Sequence, residues 1–118
     1  MTMDNQLIPW IIEIRDLATR LRTEEGWQAL SIDLSIRAHT PAVQQSIEEC
    51  LNYQPICRWM LDEWPQRPPA SLDARLLELA RFVFGYDARV ERIEAAAGET
   101  GIVLSRHECE AAPLARAA

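Results

Sequence analysis

The sequence predicts an α+β domain, an antiparallel four-stranded sheet carrying two helices on one face. Three observations predict it. Apolar and polar residues alternate through Leu30-Ser31-Ile32-Asp33-Leu34-Ser35-Ile36-Arg37, the pattern of a strand with one buried and one wet face. The stretch from Ser71 to Ile93 reads as a capped amphipathic helix running through a tight turn into a strand. Strand-like and helix-like segments also fall in separate runs rather than alternating.

Taken in order, Met1 to Gln6 is polar and expected to fray. Ile12-Glu13-Ile14-Arg15-Asp16-Leu17 alternates with period two and predicts the first strand, with Pro9 tolerated near its start. Arg20 to Gly26 is a short polar loop with Glu24-Glu25-Gly26 as its turn, so the first two strands form a hairpin. His39 to Asn52 develops no long apolar stripe and reads as a loop with at most one helical turn, Thr40-Pro41 and Ser46 to Glu49 offering starting signals. Pro55 and Pro65 bracket a helix in which Ile56, Trp59, Met60 and Glu63 or Trp64 recur at helical spacing. Pro65 to Ala70 is a rigid connector.

Ser71 then stands where a hydroxyl can accept unpaired helix N–H groups, and Asp73 where the helix dipole favours a carboxylate. Leu72, Leu76, Leu79, Ala80 and Val83 form the buried stripe, widened by Leu77 and Phe84. Gly85 to Asp87 stops the helix, and Arg89 to Ala96 is the third strand. Gly98 to Gly101 is a turn, after which Ile102-Val103-Leu104 is either a final strand or an apolar loop. The expected organisation is a single domain over 7–105 followed by a disordered, alanine-rich tail over 106–118.

The 118 residues suit one core. A net charge of −6 argues against a nucleic-acid surface, which needs a basic patch. No apolar run approaches the roughly 20 residues of a membrane span, and Met1 to Leu7 lacks the pattern of a signal peptide, so a cytoplasmic protein is expected. Cys50, Cys57 and Cys109 are read as reduced thiols, and His107-x-Cys109 supplies too few donors for a metal site. All twelve basic residues are arginine. Schiff-base chemistry and lysine proton transfer are thereby excluded in this chain.

The element order, the Leu51-Asn52-Tyr53 stretch before the first helix, the Leu72-Asp73 start of the second, and the length from Leu72 through Asp87-Ala88-Arg89-Val90 together resemble the dihydroneopterin aldolase family. The resemblance covers Ile11 to Leu104. It implies the tunnelling fold, ββααββ, whose subunits join sheets into an oligomeric barrel, here a homo-oligomer of four or eight chains. It also implies a pterin-like small molecule bound between subunits, with no cofactor. On that resemblance Asp73 anchors the amino-pyrimidine edge of the pterin, a carboxylate offering two acceptors to two parallel N–H donors. Glu78 is the alternative anchor but lies deep in the helix. Tyr53 matches the family's catalytic and ligand-contacting tyrosine, which takes part in proton transfer across a subunit interface.

Two departures stand beside these matches. The family's catalytic lysine falls at Gly98, Glu99 or Thr100, and no lysine is present. The loop between the first two strands is shortened, leaving Glu24 or Glu25 to stand in for its acidic residue. The expected function is therefore a dihydroneopterin aldolase-like pterin site with reduced or altered aldolase activity. The alternatives are a non-catalytic structural or regulatory oligomeric subunit, or an unrelated α+β module. Without a ligand, Asp73 would complement the helix dipole and Tyr53 would be an ordinary core or interface residue. Trp10, Trp27, Trp59 and Trp64 are read as core or subunit-interface packing.

Overall fold

Alternating strands must bury one face, and in the computed structural model they do so against two helices. It describes residues 7–41 and 52–111. Strands β1 (Leu7–Thr23) and β2 (Gly26–Pro41) form a long hairpin. Helices α1 (Gln54–Asp62) and α2 (Leu72–Tyr86) follow, joined through a single 3₁₀ turn at Trp64–Gln66. Strands β3 (Val90–Ala97) and β4 (Thr100–Ser105) and helix α3 (Arg106–Ala111) complete the order. All four strands are antiparallel in the sequence order β1-β2-β3-β4. Most of the loop expected over 39–52 lies outside the described residues, but His39, Thr40 and Pro41 belong to β2, so Thr40-Pro41 ends a strand that pairs with β1 instead of opening a helix.

Register fixes the faces. Ile14 opposes Leu34, Ile36 opposes Ile93, and Ile93 opposes Leu104, so these side chains share the covered face. Ile32, Leu34, Ile36, Ile93, Leu76, Leu79 and Val83 are buried in one core. Burying each such aliphatic side chain contributes roughly 1.5–3 kcal/mol. The helix signals hold: Pro55 lies in the first turn of α1, and the Ser71 hydroxyl caps α2 by accepting the Ala74 N–H at 3.2 Å. Ile102 to Leu104 is a strand, which settles the open alternative.

Three further expectations are corrected. The loop placed over 20–26 is strand up to a two-residue turn at Glu24-Glu25, with Gly26 at φ 106° as only glycine adopts readily. Thr19 and Thr23 occupy inward positions beside Leu17 and Leu21, so polar residues stood where apolar ones were sought. The Thr19 hydroxyl is buried at no loss, donating to the Met60 carbonyl at 3.0 Å. Alternation in β1 also breaks at Asp16, whose φ of 54° marks a bulge between Ile14 and Leu17. Its N–H donates to Asp33 Oδ1 at 2.9 Å.

The third correction concerns 106–111, the described part of the tail expected to be disordered, which forms α3. Ser105 and Glu108 form a reciprocal capping box, the Ser105 hydroxyl accepting from Glu108 N–H (3.1 Å) and the Glu108 carboxylate from Ser105 N–H (2.9 Å). The Arg106 guanidinium ties α3 to the core by donating to the carbonyls of Phe84, Asp87 and Val90 at 2.9 to 3.0 Å. Residues 112–118 lie outside the described part.

Candidate functional site

The hairpin turn and the start of α2 converge. Thr23 bridges Ala70 in parallel, bringing Glu24 and Glu25 beside Ser71 and Leu72. Between them lies a cleft of about 300 Å³ lined by Thr23, Glu24, Glu25, Gln28, Ser71 and Leu72. Its hairpin wall is preorganised: the Thr23 hydroxyl accepts from Gln28 Nε2 (2.9 Å) and from Glu25 N–H (3.1 Å), and donates to the Gly26 carbonyl (3.2 Å). Asp73 follows directly in the first turn of α2 and is exposed. Its carboxylate makes no hydrogen bond or ion pair among the described residues. The cleft therefore has acceptor groups on the hairpin side and a free carboxylate in the adjoining helix turn, a combination suited to a ligand rich in N–H donors.

Tyr53 stands elsewhere. It is the N-cap of α1, 46% exposed, and its carbonyl accepts from Ile56 and Cys57 N–H. Its neighbour Asn52 accepts the Tyr86 hydroxyl at 2.6 Å, which ties this segment to the far end of α2. Burial pushes the Tyr86 phenol above its ordinary pKa, keeping the donor proton in place. From Asp73 to Tyr86 the helix advances about 20 Å at 1.5 Å per residue. Asp73 and Tyr53 thus sit at opposite ends of α2 and cannot touch one small ligand within a single chain. Leu51, which belongs to the same sequence match, lies outside the described residues.

The alternative anchor Glu78 is half-buried and engaged. Its Oε1 lies 3.5 Å from Arg67 Nε and 3.3 Å from Arg75 Nε, an ion pair that lacks hydrogen-bond alignment. Arg75 is the residue that sequence reasoning missed. It is fully buried, and its guanidinium donates to the carbonyls of Pro68 (2.6 Å), Arg67 (2.9 Å), Arg22 (3.2 Å) and Trp64. Trp64 Nε1 in return donates to the Arg75 carbonyl at 3.1 Å. Burial lowers the Arg75 pKa, opposed by Glu78. This one side chain fastens the hairpin, the connector and α2 together, and so sets the walls of the cleft.

The tryptophans divide. Trp64 is buried and Trp10 half-buried, while Trp59 stacks on Phe82 at 4.2 Å between the helices. Trp27 is 48% exposed beside the Arg20 and Arg22 guanidinium groups, each 5.3 Å from its ring. Gly98 and Glu99 form the β3–β4 turn and Thr100 begins β4, so these three positions belong to a hairpin. Cys57 and Cys109 are free thiols, and burial raises the pKa of Cys57; Cys50 lies outside the described residues. Among the described residues no cluster of three or more metal-ligating side chains occurs, and no helix is long and apolar enough to cross a membrane. No family model matches the chain, and no curated protein matches it.

Proposed function

We infer that the chain is a tunnelling-fold subunit similar to the dihydroneopterin aldolases, assembling as a homo-oligomeric barrel of four or eight copies in the cytoplasm and binding a pterin-type ligand at subunit boundaries. The observation that carries this reading is the meeting of the Glu24-Glu25 turn with the first turn of α2, where the carboxylate of Asp73 is free. The ββααββ order over 7–105 and an open sheet whose outer strands, apart from the Thr23–Ala70 bridge, have no further strand beside them among the described residues accord with closure by neighbouring copies. Tyr53, about 20 Å along α2, would reach the ligand from an adjacent copy.

Retro-aldol cleavage needs a proton taken from a hydroxyl and negative charge stabilised on the ring as the carbon bond breaks. Asp73 would hold the ring, and Tyr53 of a neighbour is the proton carrier left to the chain. With no lysine, aldolase activity is expected to be reduced or altered. The absence of lysine also favours a second reading, an oligomeric subunit that keeps the fold without turnover.

Titration of the purified protein with neopterin, followed by ligand fluorescence, tests the site. Binding should weaken roughly tenfold or more in Asp73→Ala, the loss of a charge-assisted bidentate contact, and persist in Asp73→Glu. No binding at millimolar neopterin, or equal binding in Asp73→Ala, would refute the assignment. Sedimentation that found only monomers would refute the shared site.

A further inference from the structure

The face of the sheet turned away from the helices brings two like charges together on neighbouring strands. Arg37 of β2 and Arg92 of β3 are directly opposed across the two central strands, and both are exposed. Like charges in such a pair repel and weaken a sheet. Glu94 Oε2 lies 3.7 Å from Arg92 Nε and the Glu108 carboxylate also interacts with Arg92, whereas Arg37 has no ion-pair partner among the described residues. Arg37, Arg92, Ser35, Ile11 and Glu94 line a depression of about 230 Å³. The lining of the depression itself holds two arginines and one glutamate, in a chain whose net charge is −6.

We propose that this depression is an oxyanion site, taking a phosphate-type dianion between Arg37 and Arg92 with the Ser35 hydroxyl as a further donor. Guanidinium groups present paired N–H donors that match phosphoryl oxygens, and a bound dianion converts the repulsion across β2 and β3 into attraction. The site lies on the face opposite α1 and α2, so it stands or falls separately from the pterin reading. Free phosphate and the phosphoryl group of a phosphomonoester share this chemistry.

Calorimetric titration of the full chain at low ionic strength, with inorganic phosphate in one arm and phenyl phosphate in the other, tests the proposal and separates the two sources. Saturation by inorganic phosphate assigns the free ion; saturation by phenyl phosphate alone assigns the ester. Arg37→Gln and Arg92→Gln should each weaken binding roughly tenfold or more. Arg58→Gln, on the exposed side of α1, should leave it unchanged, and Glu94→Gln should tighten it. Circular dichroism of each variant establishes that it is folded. No saturation by either compound at millimolar concentration, or equal binding by wild type and Arg37→Gln, would overturn the site.

Discussion

On the covered side of the sheet Arg75 is wholly buried and donates to four main-chain carbonyls, whereas on the open side Arg37 and Arg92 stand exposed and opposed to one another. The same side chain is used in two physical regimes. Buried, its charge must be matched by acceptors already in place, and removing any part leaves polar groups stranded. Exposed, its charge is screened by water and its donors remain open to a visitor. Stability is concentrated in the first region and recognition in the second.

The sharpest way to break this contrast is Arg75→Leu. It strands the carbonyls of Trp64, Arg67 and Pro68 and leaves Glu78 half-buried with only Arg67 beside it. A loss of about 3–5 kcal/mol is expected in urea unfolding. Ile36→Ala should follow at about 2–5 kcal/mol, since Ile36 is fully buried on a central strand and its truncation leaves a cavity in the core. A change below 1 kcal/mol at Arg75 would mean that the carbonyls find water and that the buried arginine is not what joins hairpin to helix.

Legibility in the sequence divides along the same line. Leu30 to Arg37 and the Ser71 cap were readable because a strict period and a capping hydroxyl are local signals. The outer half of the hairpin was hidden because Thr19 and Thr23 occupy buried positions, and the bulge at Asp16 because it interrupts the period that would announce it. Arg75 carries no local signal, since its acceptors come from Arg22 and from the connector. Asp73 and Glu24-Glu25 entered through resemblance, and their proximity depends on the Thr23–Ala70 bridge. The separation of Tyr53 from Asp73 follows from the antiparallel course of two helices, which no motif encodes.

Two smaller perturbations sharpen the contrast on α2 itself. Ser71→Ala removes the acceptor of the Ala74 N–H and should cost about 1 kcal/mol in thermal unfolding. At the other end, hydrogen bonds from Arg89, chiefly from its side chain, hold the Asp87 carboxyl below the usual carboxylate range. A depressed folded pKa contributes stability that is complete above the unfolded value and is lost as pH falls through the folded one. The wild type should therefore lose stability on acidification below the ordinary aspartate range more steeply than Asp87→Asn. Parallel acid profiles would show that the pair carries no such linkage.

The smallest expected effect is the most diagnostic. Arg37→Gln lies one residue from Ile36 on the same strand but faces water, so neither cavity nor stranded acceptor results. Removing one member of the Arg37–Arg92 pair also removes a repulsion across the strands. Stability in phosphate-free buffer should change by no more than about 0.5 kcal/mol, and in the stabilising direction. Adding phosphate should then raise the unfolding temperature of the wild type but not that of Arg37→Gln, because only a ligand that binds the folded state shifts the equilibrium. If Arg37→Gln instead destabilised the protein as Ile36→Ala does, the open face would be part of the structural core in the assembled protein, and the division between a stabilising face and a recognising face would fail.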